Sequence, residues 1–148
     1  MALTIRPAVA ADLPGLLALY RELNPDDPPL PQDSADRIWA DIAVQRGRTV
    51  LVADQEGTPV GTADCTVLPN LTRGGRSILL VENVVVAAAH RRRGIGRRLM
   101  GSVVRLAESN GCYKVQLLAA DEAEAHLFYR SCGFGSTAPG FRRYLARP

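Results

Sequence analysis

A glycine-arginine turn set between a valine-rich segment and an amphipathic one constrains the fold of this chain more than any other feature. The run His90-Arg91-Arg92-Arg93-Gly94-Ile95-Gly96-Arg97-Arg98 follows residues 77–86, which are dense in Val, Ile and Leu and read as a strand. After the turn, Ile95, Leu99, Val103 and Leu106 or Ala107 recur at helical spacing, with Met100 and Val104 widening the stripe. Asn110-Gly111 supplies the glycine that ends such a helix. Residues 115–119 form another short β-rich run. Strand, turn, helix and strand make a β-α-β unit, which predicts an α/β or α+β sheet with helices on both faces.

The position of the turn carries its own chemistry. A helix N-terminus presents backbone N–H groups without intrahelical partners and the positive end of its dipole. Gly94 and Gly96 remove Cβ atoms where a phosphate has to approach backbone closely. The neighbouring arginines can add charge-assisted hydrogen bonds. Taken alone, such a run is equally a solvated basic turn with glycines for geometry. A nucleotide P-loop needs Gly-Lys-Ser/Thr, and here Arg97-Arg98 follow Gly96. A dinucleotide fingerprint needs a third glycine, and Leu99 occupies that place.

The rest of the chain supplies the remaining layers. Residues 3–5 read as a first strand. Asp12 offers an N-cap and Pro14 a first turn for a helix with Leu16, Leu17, Leu19, Tyr20 and Leu23 on its apolar face. The helix should end before Asn24-Pro25, ahead of a loop holding four prolines. Asp33 or Ser34 can cap a second helix carrying Ile38, Trp39 and Ile42, which stops near Gly47. Residues 49–53 and 60–68 flank Gln55-Glu56-Gly57 as in a hairpin, and Gly74-Gly75 marks the next reversal. A further helix is expected over residues 122–131, closed by Gly133, with a last strand at 141–145. No repeat or domain boundary is visible, so one domain over residues 1–148 is expected.

Composition narrows the classes of function. The chain has 148 residues, 47% hydrophobic and 22% charged, which suits a single globular core. Net charge is only +3, so five arginines within residues 91–98 are a local knot suited to one anionic ligand. Three widely spaced cysteines (Cys65, Cys112, Cys132) form no CxxC, which excludes a disulfide framework and a cysteine zinc site. No histidine cluster suggests a metal, and no apolar stretch is long enough to span a bilayer. The N-terminus lacks signal-peptide character, so a soluble, cytoplasmic protein is expected.

Several motifs in order then match one pattern. Arg91-x-x-Gly94-x-Gly96 fits the pyrophosphate loop Arg/Gln-x-x-Gly-x-Gly/Ala of the GNAT superfamily of acetyl-CoA-dependent N-acetyltransferases, which this chain resembles. Glu82-Asn83-Val84-Val85-Val86 resembles that family's central strand, and Phe128-Tyr129-Arg130-Ser131-Cys132-Gly133-Phe134 its Phe-Tyr-x-x-x-Gly-Phe segment. Ile5-Arg6-Pro7-Ala8 with Asp12-Leu13 resembles a common family opening. Gly111-Cys112-Tyr113-Lys114-Val115 resembles glucosamine-phosphate N-acetyltransferases and related bacterial members. Three positions depart from the pattern. Arg92 stands where many members have glycine, Ala88 where proline is frequent, and Glu122 where asparagine is common.

The resemblance implies a mostly antiparallel central sheet with splayed central strands, and direct attack of a substrate amine on the thioester in a ternary complex. It places Val84, Val85 and Val86 along the pantetheine arm, with a backbone N–H near Val86 polarising the thioester carbonyl. It places the pyrophosphate on Arg91, Arg92, Arg93, Gly94, Ile95, Gly96 and Arg97, mainly through backbone N–H groups. Tyr129 becomes the candidate general acid for the departing thiolate, against its plain reading as a core aromatic. Glu82, a charge inside an apolar strand, is the candidate base, with a solvated or arginine-paired carboxylate as the alternative. His126 lies one helical turn before Tyr129 and could share its face.

The expected partner is a small-molecule amine, with acetyl-CoA as co-substrate and neither metal, nucleic acid nor membrane. An amino-sugar phosphate is favoured by the Cys112-Tyr113-Lys114 match, with Arg142 or Arg143 as anion contacts. A homodimer is left open. A non-catalytic acyl-CoA sensor and a nucleic-acid module built on the arginines are the competing readings. Retention of Tyr129 argues against the first; modest charge and 5% aromatic content argue against the second.

Overall fold

The structure, a computed structural model, describes residues 2–146. The chain divides into two compact units, Met1–Gln116 and Leu117–Pro148, each described by itself. The first contains β1 (Leu3–Pro7), α1 (Leu13–Leu23), α2 (Gln32–Val44), β2 (Arg48–Gln55), β3 (Thr58–Leu68), β4 (Ser77–Val86), α3 (Ile95–Ser109) and β5 (Cys112–Gln116). Its sheet runs in the order β1-β2-β3-β4-β5. All neighbours pair antiparallel except β4 and β5, which pair parallel across α3 as the β-α-β pattern requires.

Local chemistry explains these elements. Glu56 and Gly57 both take positive φ between β2 and β3, the geometry that tight hairpins favour. The Asp54 carboxylate fixes that turn by accepting the Gly57 N–H at 2.7 Å. Period-two patterning sorts the strands into two faces, and both are covered within the first unit. On one, Leu16 packs with Val50, Val52, Trp39 and Ile42, and Leu19 packs with Val85 and Ala87, so α1 and α2 lie there. On the other, Ile95 packs with Ala53, Val60 and Val86, which seats α3. Leu99, Met100 and Val103 are fully buried along the stripe read from the sequence.

Several boundaries differ from expectation. The helix expected to be capped by Asp33 or Ser34 begins at Gln32, after an extended Pro31, and shows no side-chain cap. Proline fixes φ ahead of a first turn whose N–H groups need no intrahelical partner. Asp12 does precede α1, but its carboxylate turns back. It accepts the Val9 N–H at 2.8 Å and two bonds from the Arg6 guanidinium at 2.7 and 2.9 Å. The last strand of the sheet is Cys112–Gln116 rather than 115–119, because its register with Ser77–Leu80 begins at Cys112.

In the second unit, α4 (Ala123–Ser131) follows Glu122 in extended conformation and ends with Gly133 at φ +92°. The N–H groups of Cys132 and Phe134 both return to the Tyr129 carbonyl, closing the helix. The strand expected at 141–145 is absent. Phe141 and Leu145 are more than nine-tenths exposed, and the segment has no ladder partner among the described residues of its unit.

Candidate active site

The centre of the first unit is shaped by two irregularities in β4. Its register with β3 shifts between Thr62 and Asp64, so Asn83 and Val84 together oppose Ala63 in a β-bulge. Asn83 takes φ +52°, a left-handed conformation unusual inside a strand. The bulge exchanges the faces: Val81 points with Cys65, whereas Val85 points with Thr62. It also leaves Glu82 and Asn83 exposed in the middle of an otherwise covered strand.

The second irregularity is a splay. β5 pairs with β4 only from Ser77 to Leu80, where it ends at Gln116. From Val81 onward no strand pairs with that edge of β4, among the described residues. Backbone direction there follows from two bonds. The Ala87 N–H reaches back to the Val60 carbonyl of β3 at 2.8 Å, so the carbonyl of the same peptide unit, at Val86, points away from β3. In an extended residue N–H and C=O share a side. The Val86 N–H therefore faces the open edge too.

The turn after β4 is held to that strand. Arg91 returns its Nε–H to the Val86 carbonyl at 3.1 Å. The Ala88 N–H is bonded at 2.8 Å by the Glu22 carboxylate of α1. Arg92 adopts φ +62° and Gly94 φ +77°, both left-handed, which turns the chain into α3. Gly94 stands at the N-cap, and a Cβ built on it would meet nothing within 4 Å. The first intrahelical bond runs from the Arg98 N–H to the Gly94 carbonyl at 3.1 Å. Ile95 and Gly96 thus carry N–H groups without a partner inside the helix. Ile95 is itself buried, anchoring the turn in the core. Gly96 lies in the helix proper, without a positive φ.

The arginines of the run divide by task. Arg93 is exposed at the turn. Arg97 lines a surface groove of about 410 Å³ with Ile5, Arg98, Gly101, Ser102 and Arg105. Arg98 donates to the Leu3 carbonyl of β1 at 2.8 Å. An open strand edge with a free N–H, beside a glycine turn at a helix N-terminus, suits an amide-bearing arm that ends in a pyrophosphate.

In the second unit, Tyr129 is half-buried between two rings, Phe128 at 5.1 Å and Phe134 at 5.9 Å, both edge-on. Burial, and then the neighbouring Cys132, push its phenol above the ordinary tyrosine value, so the proton is held more firmly. His126, on the same helix, lies 3.9 Å from the Asp121 carboxylate.

With this geometry in view, the comparison with known proteins is direct. The acetyltransferase (GNAT) family model matches residues 16–134. The chain belongs to that family. Glucosamine 6-phosphate N-acetyltransferase of Trypanosoma brucei brucei is 35% identical over 138 residues, covering 89% of this chain and 88% of the relative. Glucosamine 6-phosphate N-acetyltransferase 1 of Oryza sativa subsp. japonica is 37% identical over 135 residues, covering 88% and 79%. A solved protein from Agrobacterium tumefaciens str. C58 superposes with a TM-score of 0.92 at 42% identity, covering 95% of this chain and 99% of that one. The molecule is thus an acetyl-CoA-dependent N-acetyltransferase of the GNAT family.

Within this GNAT enzyme, sequence reasoning missed three features of the first unit. The bulge at Asn83 had no local signal. The Glu22–Ala88 bond joins residues 66 apart. The third is a partly buried ion pair between Arg48 and Asp64, with bonds at 3.0 and 2.5 Å. Asp64, the one charged residue in the run of residues 58–68, was the available sign.

Proposed function

We propose that this GNAT acetyltransferase acetylates the amine of an amino-sugar phosphate. The observation that carries the reading is the pair of relatives, 35% and 37% identical over nearly nine-tenths of the chain, both named glucosamine 6-phosphate N-acetyltransferases. A local feature adds support. Arg73, Arg76 and Lys114 stand 5.7, 5.5 and 5.4 Å from the Tyr113 ring centre, a cationic cluster suited to a phosphate.

In this reading the exposed edge of Val84, Val85 and Val86 hydrogen-bonds the pantetheine arm of acetyl-CoA. The Val86 N–H polarises the thioester carbonyl as charge develops on its oxygen. N–H groups between Arg92 and Arg97, above all at Gly94, Ile95 and Gly96, hold the pyrophosphate. Arg93 adds charge, while Arg91 shapes the turn. Glu82 takes the proton from the acceptor ammonium, directly or through water, freeing the amine lone pair. Tyr129 gives its proton to the departing thiolate. The whole chain works as one acetyltransferase domain, a view supported by a family match that runs through both units.

A thiol-release assay with acetyl-CoA across glucosamine 6-phosphate, glucosamine and an aminoglycoside tests the substrate. The reading requires kcat/KM for the phosphorylated sugar to exceed that for glucosamine at least tenfold. Equal values for the two would remove the phosphate from the proposal. No thiol release with any of the three would remove the amino sugar.

A further inference from the structure

Asp64 of β3 and Glu82 of β4 are direct register partners, and partners in a ladder point to the same face. Two carboxylates therefore stand side by side in the sheet, in opposite surroundings. Asp64 is 5% exposed, and Glu82 is open to solvent. Arg48 of β2 binds Asp64 in bidentate fashion, through Nε at 3.0 Å and Nη2 at 2.5 Å, and is itself held by Gln45 at 3.1 Å.

The other charged groups on this face include Arg6 of β1, in register with Val52 and bound to Asp12, and Glu22 of α1, whose carboxylate holds the Ala88 N–H. Tyr20 of α1 is half-buried, and its phenol is pushed up by burial and by Asp64. Lys114 of β5 sits opposite Ile78, four residues before Glu82 on the same face. From α2 the packed residues are Trp39 and Ile42, which carry no charge. The nearest ionic neighbours of Glu82 in the register are thus Asp64 and, behind it, Arg48.

An ion pair with one partner buried is weak evidence of stabilisation, since apolar residues of similar size often do as well. Its position beside an exposed carboxylate suggests a different use. We infer that Asp64 and Arg48 are positioning residues for Glu82, a neutralised pair that fixes the charge on its flank and so sets the pH at which the acceptor is deprotonated. This rests on the reading of Glu82 as the base. With the pair intact, Glu82 has a carboxylate beside it on the adjacent strand and, one strand further, the guanidinium that neutralises that carboxylate. Removing either partner leaves a net charge of known sign beside it.

The test is the acidic limb of kcat/KM against pH, with the Glu82 carboxyl carbon followed in parallel by NMR titration. Asp64→Asn leaves the Arg48 charge uncompensated and should move both to lower pH by about 0.5–1 unit. Arg48→Met leaves Asp64 uncompensated and should move them upward. Arg48→Met with Asp64→Asn is neutral and should return them close to the wild-type position. A purely structural pair would lower kcat in both single variants without opposite displacements. If Arg48→Met does not fold, Asp64→Asn and the double variant decide. An unmoved limb in Asp64→Asn, or displacement of both single variants in one direction, overturns the inference. Glu82→Gln separates the two readings. Loss of the acidic limb in that variant keeps Glu82 as base whatever the pair does, and an unchanged limb removes the base and this inference together.

Discussion

Arg91 turns its Nε–H back onto the carbonyl of Val86, 3.1 Å away, closing the glycine-arginine turn onto the strand that precedes it. A residue whose motif position suggests a phosphate ligand thereby also holds backbone through one of its five N–H groups. Arg91→Lys should consequently fail to replace arginine, because an ammonium cannot reproduce the planar guanidinium bond. Both Arg91→Lys and Arg91→Ala should weaken acetyl-CoA binding by about three- to tenfold, the worth of roughly one hydrogen bond. Isothermal titration of each variant checks this, and full affinity in Arg91→Lys would show that charge alone matters.

Arg92 occupies a position where glycine is common in this family, and its φ of +62° gives the reason. The turn needs a left-handed residue there, which an L side chain tolerates at a cost of about 1 kcal/mol. Arg92→Gly should therefore fold at least as stably as the wild type, within about 1 kcal/mol by urea melts, since glycine also loosens the unfolded chain. Arg92→Val should be destabilised by more than Arg92→Gly, as β-branching is poorly accommodated at positive φ. Gly94→Ala meets no neighbour within 4 Å, so its penalty is conformational, at φ +77°. It should lower stability by about 1 kcal/mol and raise the acetyl-CoA dissociation constant several-fold.

What the sequence disclosed depended on how local the cause was. Residues 77–86 and the helix after Ile95 were legible because β-branched density and a 3.6-residue stripe were bounded by glycine and asparagine. The start of β5 was not, since Cys112-Tyr113-Lys114 owes its strand conformation to parallel pairing with β4. Residues 141–145 carry strand-like residues, yet no ladder partner in their unit makes them a strand. At the site, the glycine turn could be read from residue types alone. The bulge at Asn83 and the Arg48–Asp64 pair could not, because both arise from register between strands.

Tyr129 bears on the pH range of the reaction. Its phenol is raised above the ordinary value of 10.0 by burial and by Cys132, so it stays protonated to higher pH than a free tyrosine. An acid of this kind is lost only as pH rises through that elevated value. No basic limb from Tyr129 should therefore appear in kcat below about pH 9. Tyr129→Phe should lower kcat by about 10²-fold while leaving acetyl-CoA affinity within about twofold. Unchanged turnover would return Tyr129 to a packing role between Phe128 and Phe134.

Asp12 tests the frame that supports the first unit. Its side chain is 7% exposed and accepts bonds from Arg6 and the Val9 N–H, while Arg6 also reaches Asp54 at 3.0 Å. One guanidinium thus joins β1, the start of α1 and the turn between β2 and β3. The Arg6 hydrogen bond is the largest influence on Asp12 and lowers its carboxyl below 3.8; burial opposes it, and the Val9 N–H assists. A carboxyl depressed on folding contributes stability above its unfolded pKa, and that contribution is lost as pH falls through the folded value. Asp12→Asn should cost about 2 kcal/mol at pH 7, for a partly buried charged hydrogen bond lost. The gap between wild type and variant should then narrow as pH falls below about 4, because the wild type alone loses this term. Urea melts of both proteins from pH 7 to 3 measure it, and a gap independent of pH would mean that Asp12 acts through its shape rather than its charge.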